Sequence, residues 1–141
     1  MGLLRVAADT QTSTLNMAAA SLFLDRYDLA AHIATLRTAY ARKKEAMLDA
    51  IRQHFPQEIT ATDPQGGLLT WVTFPAGFDA TAFMRDVALP QARVAYVPGA
   101  TFFPLTPQPN HARLNFSAPS EDNIRTGIAA LGKALKSHPF S

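Results

Sequence analysis

One arginine in this chain sits where an arginine is least at home. Arg113 lies between Ala112 and Leu114 in Ala112-Arg113-Leu114-Asn115-Phe116-Ser117, a segment whose alternation reads as a strand. It follows a stretch that carries Pro104, Pro107 and Pro109. A guanidinium there either runs its apolar stem along the strand to reach solvent or is held to bind an anion. Its planar fork matches a carboxylate with two parallel hydrogen bonds. Other reactive chemistry is sparse. Cysteine is absent, so there is no thiol nucleophile, disulfide framework or Cys-based metal site. His32, His54, His111 and His138 are scattered without ligand-like spacing, and no metal site is expected. The chain contains no Gly-rich phosphate loop, no HExxH and no GxSxG. Asn115-Phe116-Ser117 fits a glycosylation acceptor, but nothing else points to secretion.

The elements that must position Arg113 follow from periodicity and punctuation. Thr12-Ser13-Thr14 precedes an Ala/Leu-rich run and marks a helix near 14–25, because a hydroxyl can satisfy the free amides of a first turn. Asp28 can cap a longer helix over 29–55. Its apolar positions Leu29, Ile33, Leu36, Tyr40, Met47, Leu48, Ile51 and Phe55 recur at three- and four-residue steps, apart from the gap at Lys44. Pro56 ends it. The period then changes. Gly66-Gly67 introduces Leu68–Phe74, rich in β-branched and aromatic residues and closed by Pro75. Asp79 can cap a helix through Leu89, Val94–Val97 reads as a short strand stopped by Pro98-Gly99, and 100–110 reads as a loop. Ser120 caps a last helix, with Glu121 and Asp122 in its first turn and Ile124, Ile128, Leu131 and Leu135 as its buried stripe. The fold class is therefore α/β (α+β), a two-layer sandwich. A mainly antiparallel sheet of about three strands should carry the long and C-terminal helices on one face.

Composition bounds the partners. The 141 residues suit a single domain over 1–141, and 48% hydrophobic residues suffice for a real core. Only 17% are charged, against a usual share of roughly 25%, which hints at a surface meant to be covered. Net charge is +2, and the nearest thing to a basic cluster, Arg37, Arg42, Lys43 and Lys44, is followed at once by Glu45 and Asp49. That reads as a solvated helix face, and no nucleic-acid partner is expected. No apolar run approaches the ~18 residues of a membrane span, and Met1-Gly2-Leu3-Leu4-Arg5 has no signal-peptide layout, so a cytoplasmic location without membrane contact is expected.

Four segments together resemble the C-terminal part of fold-type I aminotransferases, the pyridoxal-phosphate enzymes of the aspartate-aminotransferase fold, in the branch of 2-aminoadipate and kynurenine aminotransferases. Asp9 through Asn16 is similar to the family's D-x-H-T-S-x-x-N-Q, and Gly66-Gly67-Leu68-Leu69-Thr70-Trp71 to G-G-x-x-x-W. Val97-Pro98-Gly99-Ala100-Thr101-Phe102-Phe103-Pro104 is similar to x-P-G-x-x-F-[YF], and Asn110 through Ser117 to N-x-x-R-L-N-F-S. The four stand in family order across nearly the whole chain. The sequence departs from the pattern at Gln11, where histidine is common, and at Met17, where glutamine is usual.

The resemblance implies a two-layer small domain, with 1–28 as the segment linking it from a missing N-terminal large domain. It implies that Arg113 clamps the α-carboxylate of amino acid and 2-oxo acid substrates, with Phe102 and Phe103 near the substrate side chain. Asn115 in the same strand is either a ligand or an amide that anchors the strand. Thr12-Ser13-Thr14 either approaches a partner subunit's active site or simply caps a helix. In the family the cofactor is held on a lysine in a Ser-x-x-K context upstream of this region. Lys43, Lys44, Lys133 and Lys136 all fall on expected helices, read as exposed, and none matches that context. Pyridoxal 5'-phosphate therefore belongs to the full-length enzyme, is not expected to bind this chain firmly, and no catalytic residue is assigned here. A homodimer is expected. The alternatives are the ligand-binding domain of a bacterial transcription regulator, whose C-terminal segment looks similar, and a non-catalytic structural remnant.

Overall fold

The structure, a computed structural model, describes residues 12–138, so Asp9, Thr10 and Gln11 of the first matched segment lie outside the described residues. The chain forms two compact units that divide between Arg37 and Thr38.

The first unit holds helix α1 (Thr14–Arg26) and the start of helix α2 (Leu29–His54). Both caps fall where the sequence puts them. The Ser13 hydroxyl accepts from the Asn16 amide at 3.5 Å, and the Asp28 carboxylate accepts from the Ala31 amide at 2.9 Å. No α1 residue is buried: Leu15, Leu22, Leu24 and Tyr27 are exposed, and Phe23 only stacks on Tyr27. The apolar stripe read along 29–55 is correspondingly split. Leu29, Ile33 and Leu36 are exposed, whereas Ala46, Met47, Leu48, Ala50 and Ile51 are buried.

The second unit is built on a four-stranded antiparallel sheet in the order β1-β2-β4-β3, with β1 at Thr60–Ala61, β2 at Leu69–Thr73, β3 at Val97–Pro98 and β4 at His111–Asn115. The sheet thus has one more strand than expected. β1 is two residues long, below what alternation can reveal. It exists because Thr70, buried in β2, donates its hydroxyl to the Thr62 carbonyl (2.6 Å) while the Thr62 amide bonds to Trp71 (2.9 Å). β2 and β4 pair from Leu69↔Asn115 to Thr73↔His111. Alternation then sends Thr70, Val72, Ala112 and Leu114 to the covered face and leaves Trp71, Thr73, His111 and Arg113 on the other.

Val72, Ala112, Leu114 and Phe116 join one core with Ala46, Met47, Ala50 and Ile51 of α2 and with Ile124, Ile128, Leu131 and Leu135 of the C-terminal helix (Glu121–Lys136). The latter begins at a Ser120 hydroxyl that accepts from the Asn123 amide, as its sequence indicates. Gly132 is what lets it close on α2, since a β-carbon there would lie 2.5 Å from the His54 carbonyl oxygen.

Two expectations need correction. Asp79 does cap a helix, its carboxylate accepting from Thr81 and Ala82, and Ala80–Phe83 is α-helical. The helix then continues to Ala92 rather than Leu89, as a π-helix over Met84–Ala92 that contains Pro90. Proline has no amide and its ring crowds the preceding turn, so a widened coil carries the chain past it. The expected strand 94–97 also shifts. Arg93 is left-handed (φ 57) and the Val94 amide turns back to the Ala88 carbonyl, so neither can enter a ladder. Tyr96 is buried and its hydroxyl donates to the Ala80 carbonyl at 2.7 Å; burial, with Asp79 nearby, pushes its phenol well above the usual range. Pairing begins only at Val97 and includes Pro98, which β3 tolerates as an edge strand.

Candidate anion-binding site

On the uncovered face of the second unit, Arg113 sits at the middle of β4, paired to Trp71 of β2 on one side and to Val97 of β3 on the other. Two separated segments then bring aromatic rings to it. Gly99–Phe102 forms a 3-10 turn directly after β3, and part of the stretch read as loop is therefore helical. The turn can lie against β4 only because position 99 is glycine: a β-carbon there would meet that of His111 at 2.3 Å. The turn delivers Phe102, whose ring centre lies 4.7 Å from the Arg113 guanidinium carbon, within cation–π range. Trp71 meets Phe102 edge-on at 5.7 Å and lies 6.1 Å from Phe103.

The charge of Arg113 is unanswered. Its Nε is buried and has no hydrogen-bond partner, and it forms no ion pair with any described residue. Arg42, Arg52, Arg85 and Lys44, by contrast, each lie against a carboxylate. A buried donor left unmade costs about 1–3 kcal/mol and more when charged, so this nitrogen favours any acceptor that reaches it. The Arg113 side chain as a whole is half-buried, while its Nε lies within protein rather than water.

The other residues singled out fall differently. Asn115 lies two positions on along the same face, but its side-chain oxygen accepts from both the amide and the hydroxyl of Ser117, each at 2.7 Å. Such a turn ends a strand and engages that oxygen. Phe103 is half-buried beside Trp71 and His111. Asn110 donates to the Phe74 carbonyl and continues the β2–β4 pairing. The lysines require a correction: Lys133 and Lys136 are exposed, but Lys43 and Lys44 are half-buried. Lys43 donates to the Ser117 carbonyl at 2.7 Å and Lys44 to Asp63 at 2.7 Å, which raises the Lys44 pKa. Among the described residues no group of His, Asp and Glu could hold a metal, and no helix is long and apolar enough to cross a membrane.

Sequence reasoning passed over His111, which faces the same way as Arg113. Its ring is 5.4 Å from Trp71 and 5.5 Å from Phe103. Its position two residues before Arg113 in an alternating strand was the available signal.

No family model matches the chain. It is 35% identical over 130 residues to aromatic-amino-acid aminotransferase 1 of Thermococcus litoralis, covering 92% of this chain and 31% of that protein. Its fold matches the kynurenine aminotransferase of Pyrococcus horikoshii with a TM-score of 0.84 at 33% identity, covering 95% of this chain and 33% of that one. It matches the alpha-aminoadipate aminotransferase of Thermus thermophilus with a TM-score of 0.82 at 32% identity, covering 95% and 34%. The uncharacterized HTH-type transcriptional regulator YjiR of Escherichia coli is also similar, 30% identical over 84% of this chain and 25% of that protein. The chain spans about a third of the length of the aminotransferases it matches.

Proposed function

Since this chain belongs, as a C-terminal part, to the fold-type I aminotransferase family, we propose that it supplies the substrate-carboxylate clamp of a pyridoxal-phosphate-dependent aminotransferase, which moves an amino group between an amino acid and a 2-oxo acid. The observation that carries this is the unpaired, buried Nε of Arg113 beneath Phe102, on a face that lacks any described carboxylate partner. A carboxylate would bridge two of the guanidinium nitrogens beside the Phe102 ring, which is 44% exposed and lies over the guanidinium. Two parallel charge-assisted hydrogen bonds then orient the substrate's Cα. Phe102 and Trp71 would bound the space beside it. On the same reading Asn115 shapes the end of β4. The kinetics of a variant at position 113 in the full-length protein test the clamp.

Pyridoxal phosphate, when bound, supplies the electron sink for the exchange. The described residues do not fit it. Lys43 and Lys44 are engaged with Ser117 and Asp63, Lys133 and Lys136 are exposed, and all four stand on helices packed against the face opposite Arg113. An imine-forming lysine has to be desolvated and partly deprotonated near neutral pH. This chain by itself is therefore expected to be inactive. Mixing the purified chain with pyridoxal phosphate, reducing with borohydride and mapping the adducts should give no stoichiometric label on any lysine. One fully labelled lysine together with amino-acid-dependent turnover would mean that the cofactor site lies within these residues after all.

We also infer self-association, as a symmetric dimer. Leu15 at 76% exposure, with Leu22, Phe23, Leu24 and Tyr27, is more apolar surface than a short solvated helix normally carries. Light scattering should give twice the chain mass; a clean monomer at high concentration would remove the inference.

A further inference from the structure

We propose that His111 is a positioning residue of this site, holding the aromatic wall in register with Arg113. The proposal rests on the reading of Arg113 as a carboxylate clamp. The imidazole lies nearly parallel to Phe103 (27°) and to Trp71 (30°), touching both. Stacking of this kind fixes the distance between rings but leaves each free to slide and to turn in its own plane. Two hydrogen bonds remove that freedom. Nδ1 lies 3.1 Å from the Thr73 hydroxyl of β2, and Nε2 lies 2.9 Å from the side-chain oxygen of Gln108 in the proline-rich stretch. The ring is thus pinned at both ends, to the sheet floor and to the segment above it. Its backbone is fixed as well, because Gly99 leaves no room for even a methyl group against the His111 β-carbon.

From there the contacts run in one direction: His111 against Trp71, Trp71 edge-on to Phe102, and Phe102 over the guanidinium of Arg113. Moving the imidazole frees Trp71 to rotate, and Phe102 loses the edge that holds it above the clamp. The core does not depend on this ring, which lies on the face of the sheet away from the helices. Changing it should therefore alter the site without unfolding the domain.

Trp71 is the chain's one tryptophan, so its near-ultraviolet circular dichroism and emission report this wall directly. The experiment compares the intact chain with H111A and H111F, first without ligand and then titrated with 3-phenylpropanoate, an aromatic carboxylate. R113A serves as the control. His111→Phe keeps a stacked ring but loses both hydrogen bonds, so it separates pinning from bulk. Both His111 variants should change the Trp71 spectrum and weaken phenylpropanoate by roughly fivefold or more, as the loss of one or two net hydrogen bonds implies, with the helical melting transition unmoved. If His111→Phe matches the parent in spectrum and affinity, the hydrogen bonds do not position the wall and the proposal falls. An altered spectrum with unaltered affinity would cut the link to Arg113, and the reverse would make His111 a direct ligand instead. Should the parent chain ignore phenylpropanoate, or R113A bind it equally well, the clamp reading is what fails. The ligand-free spectra then decide on their own whether His111 holds Trp71.

Discussion

Replacing Arg113 with alanine in the full-length protein is expected to raise the KM for the amino acid sharply, leaving affinity for the cofactor nearly unchanged. Removing a bidentate, charge-assisted pair of hydrogen bonds from a partly desolvated setting should take away on the order of 2–4 kcal/mol of transition-state binding, or roughly 30- to 900-fold in kcat/KM. The expectation is large because nothing stands ready to substitute. Its neighbours on that face, Trp71, Val97 and Phe102, carry no positive charge. Steady-state kinetics of the variant, with spectroscopic titration of pyridoxal phosphate alongside, separate the two effects. Unaltered kinetics would return Arg113 to a stem that merely carries its charge to solvent.

The second large effect lies three residues away and is of another kind. Phe116→Ala should cost about 3–5 kcal/mol of folding stability, the usual loss when a buried aromatic is truncated and its cavity only partly collapses. Phe116 is 2% exposed and is among the largest fully buried side chains, and its amide donates to the Leu68 carbonyl just beyond the β2–β4 ladder. Domains of this size are stable by only about 5–15 kcal/mol, so the variant should melt many degrees lower and unfold at distinctly lower denaturant. A loss below about 1 kcal/mol would show that the site collapses around the missing ring. On the proposed reading of Arg113, the two residues would divide one short sequence element between chemistry and folding, and the two variants should fail in different assays.

How much of this was legible in the sequence depends on the length scale of each signal. Long periodic segments read well: the helix expected over 29–55 spans Leu29–His54, and the caps at Ser13, Asp28, Asp79 and Ser120 are all formed. Each is a local competition for amide hydrogens that a few residues decide. β1 was not legible, because two residues cannot alternate and the strand depends on a hydroxyl brought from β2. The shift of β3 to Val97–Pro98 hangs on a single left-handed residue, Arg93, which composition does not announce. At the site, Arg113 was visible because a charge interrupts an apolar strand. His111 was not, since the role proposed for it depends on Thr73, 38 residues away, as well as on nearby Gln108. The exposure of Leu29, Ile33 and Leu36 was hidden too, since periodicity marks a face as apolar without saying what will cover it.

Ala112 and Arg113 are the two positions of β4 with strand partners on both sides. The backbone beneath the guanidinium is therefore already immobile before any ligand arrives, its conformational entropy lost during folding rather than at each encounter. An anion captured there has to freeze only the side-chain torsions of Arg113, which Phe102 already restrains in part. The same arginine on a flexible loop would surrender about 1–2 kcal/mol for each residue ordered on binding, enough to erase most of what one such interaction provides. If Arg113 is the proposed clamp, placing its charge on an internal strand would make that clamp preorganised, and this should appear as rapid capture with little change in the surrounding amides.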